Sequence, residues 1–232
     1  LKPADLTSLL VWGRLAYPAE EALDAHETLL TGGGIGEGLV TGWTPETKNY
    51  TVDFSSAALT KSEGLIGREN EYKEVQEALE KTETANVLLV GERGVGKESI
   101  VEALAWDSFH GKLSGKLNHK RLITLMVGPL LAGADNRSEL ESRLQAIIAE
   151  LSHAGNIILY IPEIQEIMGE SSYDLNLSGA LLPYLKDGSL PIIASLTKGN
   201  YKTYMEKNGL KEVFSVITIE EPEIPVVKMM LY

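Results

Sequence analysis

The feature that most constrains this chain is an apolar segment that opens into a glycine-rich loop. Residues 86–90 read Asn-Val-Leu-Leu-Val, and residues 91–98 read Gly-Glu-Arg-Gly-Val-Gly-Lys-Glu. The loop matches the pattern G-x-x-x-x-G-K-[ST] except at its last position, where Glu98 replaces a hydroxyl residue. In that motif backbone N–H groups curl around phosphates, the lysine reaches the β- and γ-phosphates, and the hydroxyl holds Mg²⁺. The sequence therefore predicts a phosphate-binding loop with an altered metal position.

Helical and strand patterns alternate from Leu65 onward, which predicts an α/β fold. We predict helices over residues 69–81, 99–110, 138–154, 175–186 and 201–207, and strands over 86–90, 121–127, 156–161, 191–196 and 214–219. Strands separated by helices favour a parallel sheet that is covered by helices. Ligands of such sheets bind at the carboxyl ends of the strands, which is where the loop after residue 90 falls.

The sequence patterns before residue 65 differ from this alternation of helices and strands. Residues 1–35 predict a helical N-terminal extension, with helices over 3–16 and 19–30, and residues 36–64, rich in Gly, Thr and Ser, read as a linker or extended arm. The chain begins at Leu1 without a methionine and stops soon after Pro222, so we expect an excised fragment.

Charge and composition exclude several kinds of partner. The chain has 33 acidic and 21 basic residues and a formal net charge of -12, so we expect no binding to nucleic acid. It has no cysteine, its four histidines show no ligand spacing, and we predict no metal site from them. The longest apolar runs have the length of strands, so we expect a cytoplasmic protein, with a membrane anchor outside the fragment left open.

Several short segments, in one order and at one spacing, match a known family: Leu65–Glu69, the loop of 91–98, Leu131–Ala134, Gly155–Leu159, Leu182–Leu185 and Gly188–Leu190. From Thr44 to its C-terminus the chain resembles the first AAA+ module of the Clp-type protein unfoldases. The resemblance implies an AAA+ P-loop NTPase large subdomain over 65–222, followed at 223–232 by the start of a truncated lid subdomain. It also implies ATP or ADP as ligand, other AAA+ subunits or domains as partners, and protein substrates or a protease as further partners.

The resemblance also implies the residues of the site. Ile66 and Gly67 correspond to the family's adenine-contacting segment, and Glu163 to its catalytic glutamate. The phosphate-binding positions are Gly91, Gly94, Val95, Gly96, Lys97, Glu98 and Ser99. No metal ligand is predicted among them, and Mg²⁺ stays an open question.

The sequence departs from the family at positions that bind the metal or take part in hydrolysis. A carboxylate at Glu98, about 4 Å from a phosphate charge, costs roughly 4 kcal/mol at an effective dielectric constant of about 20, unless Mg²⁺ bridges the two or the carboxylate is protonated or turned away. Pro162 stands where the family has the aspartate that supports Mg²⁺, which leaves Glu163 a base without a metal beside it.

Three further positions depart from the family. Asn136 replaces the aromatic residue of the loop that grips a threaded polypeptide. Leu196 replaces a threonine of the strand that senses the γ-phosphate, with Ser195 and Thr197 left as polar groups. Lys211 and Glu212 stand where the family has two arginines that act on the neighbouring subunit's nucleotide.

Two hypotheses follow for function, with a minor third. The first is a degenerate module that serves assembly and interaction, binds nucleotide weakly or not at all, and has lost hydrolysis. The second is an active ATPase that uses Lys97 and Glu163, with Glu98 as a Mg²⁺ ligand and an arginine supplied by a partner. An unrelated phosphate-loop kinase or transferase would need an acceptor pocket and catalytic groups that the sequence does not indicate.

Overall fold

A six-stranded sheet organises the computed structural model, which describes residues 47–54, 65–81, 85–132, 136–168, 177–204 and 212–222. All of these belong to one unit of the chain, residues 42–232. The predicted helices at 3–16 and 19–30 and the predicted start of a lid at 223–232 lie outside the described residues.

The strand order places the loop-bearing strand inside the sheet. The strands are β1 (Thr51–Asp53), β2 (Asn86–Val90), β3 (Arg121–Leu125), β4 (Ile157–Ile161), β5 (Ile192–Leu196) and β6 (Ser215–Thr218). They are hydrogen-bonded in the order β1-β3-β4-β5-β2-β6, and every neighbouring pair is parallel except β1 with β3. The predicted α/β fold with a parallel, helix-covered sheet is confirmed.

Six helices are described: α1 (Glu69–Leu79), α2 (Lys97–Phe109), α3 (Val127–Leu131), α4 (Arg137–Ala154), α5 (Ser178–Asp187) and α6 (Lys198–Tyr204). All five residues of β2, β4 and β5 are buried, as expected for strands covered on both faces. Leu88 and Val90 of β2 pack with apolar residues of α4 and α5, whereas Val87 and Leu89 pack with those of α1 and α2. This alternation follows from the two-residue period of a strand, and it gives the sheet a core on each face.

Several boundaries differ from the predictions by one to three residues, and two of the differences have clear local reasons. The strand predicted over 121–127 ends at Leu125, because Met126 donates its N–H to the carbonyl of Tyr50 (2.8 Å) and α3 begins at Val127. Pro129 is tolerated there because the first turn of a helix leaves its N–H groups unpaired in any case. Helix α2 begins at Lys97, two residues before the predicted start, because Gly96 in a left-handed conformation precedes it.

The segment predicted as a linker over 36–64 contributes a strand within its described part. β1 pairs antiparallel with β3, with Thr51 opposite Leu125, and Asp53 forms an ion pair with Arg121 (2.8 Å). The sequence did not indicate this strand, since three residues are too few to show an alternating pattern.

None of the described helices is both long enough and apolar enough to cross a membrane.

Candidate functional site

The carboxyl ends of β2, β4, β5 and β6 meet at one edge of the sheet and hold the glycine-rich loop between them. Gly91, the first residue after β2, donates its N–H to the carbonyl of Leu196 at the end of β5 (3.1 Å). On the other side of β2, Ile219 donates its N–H to the carbonyl of Val90 (2.7 Å). The loop therefore begins from a fixed point between two neighbouring strands, at the edge where parallel sheets bind their ligands.

The loop has the backbone conformation that a phosphate cradle needs. Gly94 and Gly96 adopt φ values of 81° and 97°, which disfavour any residue with a Cβ. Gly96 caps the thirteen-residue helix α2, whose N-terminus carries the unpaired N–H groups and the positive end of the helix dipole. A phosphate at this position would meet several N–H donors at once. Nucleotide phosphates fit the loop.

Lys97 lies in the loop as its spacing predicts and is held by the loop itself. Its Nζ donates to the carbonyl oxygens of Gly91 and Glu92, both at 2.7 Å. Partial burial lowers the pKa of Lys97, and the carboxylates of Glu163, Glu92 and Glu98 oppose that shift. An ammonium group has three donors, so one remains for a phosphate oxygen.

Glu98 and Ser99 are both exposed, in the first turn of α2. The negative charge of Glu98 acts on two groups. It opposes the lowering of the Lys97 pKa by burial, and it contributes to the raised pKa of the Tyr160 hydroxyl. Glu98 therefore lies close to the phosphate cradle and adds negative charge there, although its exposure to water weakens the repulsion.

Glu163 lies just after β4 and forms an ion pair that the sequence did not indicate. Its Oε2 accepts a hydrogen bond from Nη2 of Arg93, a loop residue, at 2.9 Å. Its backbone is left-handed, with φ of 45° and ψ of 52°, which is uncommon for a residue other than glycine and often occurs at functional sites. The preceding Pro162 has no side-chain oxygen. The predicted catalytic carboxylate is thus at the site but is paired with a cation of the loop.

Glu166 adds a second carboxyl group beside Glu163. Partial burial raises the pKa of Glu166, and the charge of Glu163 and a side-chain hydrogen bond to it act in the same direction, against the opposing charge of Arg93. The end of β4 therefore presents a pair of carboxyl groups facing one guanidinium.

The residues at the end of β5 are turned toward the protein. Ser195 is buried, its Oγ lies 3.0 Å from the hydroxyl of Tyr160, and it accepts the N–H of Glu163 at 3.4 Å. Leu196 is fully buried, and the hydroxyl of Thr197 accepts the N–H of Asn200 (3.4 Å) in the first turn of α6. Ser195 and Thr197, the polar groups left near the family's sensing position, already have protein partners.

The segment before α1 reaches the loop through Arg68. Ile66 is 43% exposed, and Gly67 has φ of 73°. Arg68 is buried, and its Nη2 donates to the carbonyl oxygens of Val95 in the loop (2.9 Å) and of Glu220 after β6. Its Nε lies 3.8 Å from where a Cβ on Gly96 would stand. Arg68 thus joins the predicted adenine-contacting segment to the phosphate loop.

An open cavity adjoins the loop on the side of β6. It is lined by Glu92, Val95, Lys198, Ile219, Glu220 and Glu221, and Lys198 is paired with Glu220. Because carboxylates dominate this lining, the cavity suits the uncharged part of a ligand better than its phosphates.

Two further departures from the family concern Asn136 and the pair Lys211 and Glu212. Asn136 is exposed and caps α4, where its side chain accepts the N–H of Glu139 (2.9 Å), which is a structural role. Of the two positions that replace the arginine pair, Lys211 lies outside the described residues and Glu212 is exposed just before the buried Val213 and Phe214.

A Mg²⁺ ion in the family's manner does not fit the side chains present. Magnesium takes oxygen ligands in a near-octahedral arrangement, yet Pro162 supplies none and the Glu163 carboxylate is paired with Arg93. Within the described ranges, no group of three or more His, Cys, Asp or Glu side chains is placed to hold a metal ion.

The structure brings most of the predicted site together. The loop residues 91–99, Glu163 and the segment at Ile66 and Gly67 lie around one edge of the sheet, linked through Arg68 and Arg93. Sequence reasoning missed the roles of these two arginines. Arg93 occupies a variable position of the motif, so its spacing carried no signal about where its side chain points.

Comparisons with known proteins identify close relatives. A family model described as ATPase family associated with various cellular activities (AAA) matches residues 87–220. The chaperone protein ClpB of Dichelobacter nodosus is 37% identical over 182 residues, which cover 76% of this chain and 21% of that protein. The negative regulator of genetic competence ClpC/MecB of Bacillus subtilis is 34% identical over 185 residues, which cover 78% of this chain and 23% of the relative.

A solved structure agrees with these relatives. A closed-state cryo-electron microscopy reconstruction of Hsp104 with ATPγS and FITC casein superposes with a TM-score of 0.71 and 29% identity, over 80% of this chain and 32% of that chain. The present chain spans about a fifth of the length of the curated relatives it matches.

Proposed function

This chain belongs to the AAA family of ATPases, in its Clp-type branch, and we propose that it is a module of such a protein in which assembly and interaction are kept and ATP hydrolysis is lost. The whole protein would be a Clp-type unfoldase or a regulatory subunit of a protease, located in the cytoplasm. Its partners would be other AAA+ subunits or domains, with protein substrates handled by the assembly. The reconstruction of Hsp104 with casein supports the last of these.

One observation carries the proposal. The phosphate loop has its cradle geometry, while the groups that would support a metal and a water nucleophile are absent or engaged. Pro162 offers no oxygen, the Glu163 carboxylate is bound by Arg93, and the hydroxyl of Ser195 is bound to Tyr160. Hydrolysis by phosphate-loop enzymes depends on a metal and on a residue that orients water, so we infer a site that holds nucleotide without cleaving it.

When bound, ATP or ADP would supply its phosphates to the loop. The N–H groups of Gly94, Val95 and Gly96 and the ammonium of Lys97 would hold them, and Ile66 and Gly67 would contact the base. The chain's own residues bind and orient the nucleotide, and Glu98 reduces the affinity by its charge.

The alternative is an active ATPase that uses Lys97 and Glu163. It is favoured by their placement, since the charge of Glu163 acts on Lys97 at the same edge of the sheet. In that case Glu98 would serve as a Mg²⁺ ligand and a partner would supply an arginine.

Steady-state ATP turnover distinguishes the two. We expect the 232-residue chain in Mg²⁺ to release phosphate no faster than its Lys97→Ala variant. Turnover that Lys97→Ala abolishes would establish the active ATPase and refute the proposed loss of hydrolysis. Assembly is measured separately by sedimentation with and without nucleotide.

A further inference from the structure

The phosphate loop carries two cations where its motif requires one. Besides Lys97, the loop contains Arg93, whose guanidinium is 77% exposed and lies 2.9 Å from the carboxylate of Glu163. The charges of Arg93 and of Glu163 both act on the ammonium of Lys97. These three groups therefore lie within electrostatic reach of one another, at the place where Lys97 would meet the phosphates.

A phosphate group can replace Glu163 as the partner of Arg93 at little cost. The guanidinium of Arg93 is exposed and the carboxylate of Glu163 is 32% exposed, and such a pair is weak because water screens it and both side chains lose freedom when it forms. A guanidinium binds phosphate through a planar fork of N–H donors that matches two oxygens at once. A phosphate chain carries more negative charge than one carboxylate, so it would compete well for Arg93.

At the same edge, the two positions that support Mg²⁺ in the family are changed, and Mg²⁺ normally neutralises those phosphates. Pro162 has no side-chain oxygen, and Glu98 stands at the hydroxyl position. A phosphate chain that enters this loop needs positive charge from another source, and Arg93 is placed to supply it.

We propose that Arg93 is a second phosphate-binding residue of this loop, and that with Lys97 it allows the site to take a nucleoside di- or triphosphate without Mg²⁺. Glu163 then acts as an internal competitor that occupies Arg93 when no phosphate is bound. This inference rests on the proposed retention of a nucleotide site.

Calorimetric titration of ADP and of ATP into the 232-residue chain, in EDTA and in Mg²⁺, tests it. We expect binding in EDTA to be at least as tight as binding in Mg²⁺. Arg93→Ala should weaken it by roughly tenfold to a hundredfold in EDTA, as expected for loss of a charge-assisted hydrogen bond, with partial rescue by Arg93→Lys. Glu163→Gln should tighten it, because it releases Arg93.

Lys73→Ala is the matched control, since it removes one exposed positive charge from α1, where Lys73 is 76% exposed. Thermal melting shows that each variant is folded. Binding that Mg²⁺ tightens by about tenfold or more would overturn the inference. So would an Arg93→Ala variant that binds like Lys73→Ala, or an absence of heat with ADP and ATP at millimolar concentration. That last result leaves two parts of the proposed function standing: the assembly role, which sedimentation tests, and the loss of hydrolysis, which Lys97-dependent turnover would refute.

Discussion

The hydroxyl groups of Tyr160 and Ser195 lie 3.0 Å apart, on the neighbouring strands β4 and β5 beneath the phosphate loop. Ser195 also accepts the N–H of Glu163 (3.4 Å), so one buried hydroxyl connects the end of β4 to the end of β5. Tyr160 is 1% exposed, and its ring stacks against that of Phe54 with centroids 6.2 Å apart. The arrangement ties the floor of the site to the core of the sheet.

Tyr160 should make the fold sensitive to alkali. Burial raises its pKa from 10 to about 12, so the folded state holds this proton more tightly than the unfolded chain does. The stabilisation is complete below pH 10 and is lost as the pH rises from 10 to 12, by about 3 kcal/mol for two pKa units. Urea denaturation of wild type and Tyr160→Phe at pH 8 and pH 11 measures the first half of this loss, about 1.4 kcal/mol. An equal loss in both proteins would contradict the assignment to Tyr160.

Asn86 should be the costliest polar residue to remove from the sheet. Its Nδ2 donates to the carbonyls of Leu185 (2.8 Å) and Val213 (3.1 Å), and its Oδ1 accepts the N–H of Ile192 (3.3 Å). Asn86→Ala would leave these buried groups unpaired, and we expect the free energy of unfolding to fall by about 3 kcal/mol. Glu77→Ala, which removes only a distant exposed ion pair, should change it by less than about 0.5 kcal/mol. Similar values for both variants in urea denaturation would refute this.

Gly91 and Gly128 should respond oppositely to alanine. A Cβ at Gly91 would stand 2.6 Å from the carbonyl oxygen of Ile219, which is backbone and cannot move aside, whereas one at Gly128 would meet nothing within 4 Å. We expect Gly91→Ala to destabilise the fold by roughly 1–3 kcal/mol. Gly128→Ala, within helix α3, should be neutral or stabilise by up to about 1 kcal/mol. The melting temperatures of the two variants and of the wild type check both predictions. A Gly91→Ala variant as stable as the wild type would mean that Gly91 does not lie against the carbonyl of Ile219.

Arg68 should stabilise the fold by holding the phosphate loop to the segment after β6. Besides its bonds to Val95 and Glu220, it forms an ion pair with Glu71 (2.8 Å) and is itself 4% exposed. Because Arg68→Ala leaves the buried carbonyl of Val95 unpaired and removes the ion pair with Glu71, we expect a loss of about 2–4 kcal/mol. Arg68→Lys should recover only part of it, because one ammonium replaces two nitrogens, Nη2 that donates to both carbonyls and Nη1 that donates to Glu71. Full recovery in chemical denaturation would show that charge alone matters.

Restoring the metal donors should make nucleotide binding depend on Mg²⁺. The double variant Glu98→Thr with Pro162→Asp returns a hydroxyl and a carboxylate to the two positions that lack them. We expect Mg²⁺ to tighten ADP binding of this variant by at least about tenfold, since oxygen ligands would now hold the ion. The double variant keeps the net charge, since Glu98→Thr removes one negative charge and Pro162→Asp adds one, and Glu74→Thr, on the exposed face of α1, controls for the replacement of a glutamate by threonine away from the loop. An Mg²⁺ effect as small as that of the control would mean that other features of the edge exclude the metal.

Much of the fold could be predicted from the sequence because its signals are local. Strand β2 has the predicted bounds 86–90, and helix α4 begins one residue before its predicted start and ends at the predicted residue 154. Continuous apolar runs identify buried strands, and the spacing of glycines and lysine identifies the loop. The sequence did not predict two short elements, because their partners lie elsewhere in the chain: β1 pairs with β3, and Arg143 of α4 donates to the carbonyls of Leu130 and Ala132 at the end of α3.

The candidate site divides in the same way. The sequence by itself determined the sheet with its helices, the phosphate loop at a strand end, and the positions of Glu98, Pro162 and Glu163. Only the tertiary structure decided three contacts. Arg93 pairs with Glu163, and the hydroxyl groups of Tyr160 and Ser195 are hydrogen-bonded to each other. Arg68 donates to the carbonyls of both Val95 and Glu220. These pairs are between 27 and 152 residues apart in the chain. Motif spacing fixes which backbone reaches the edge of the sheet, whereas packing between strands decides which side chains meet there.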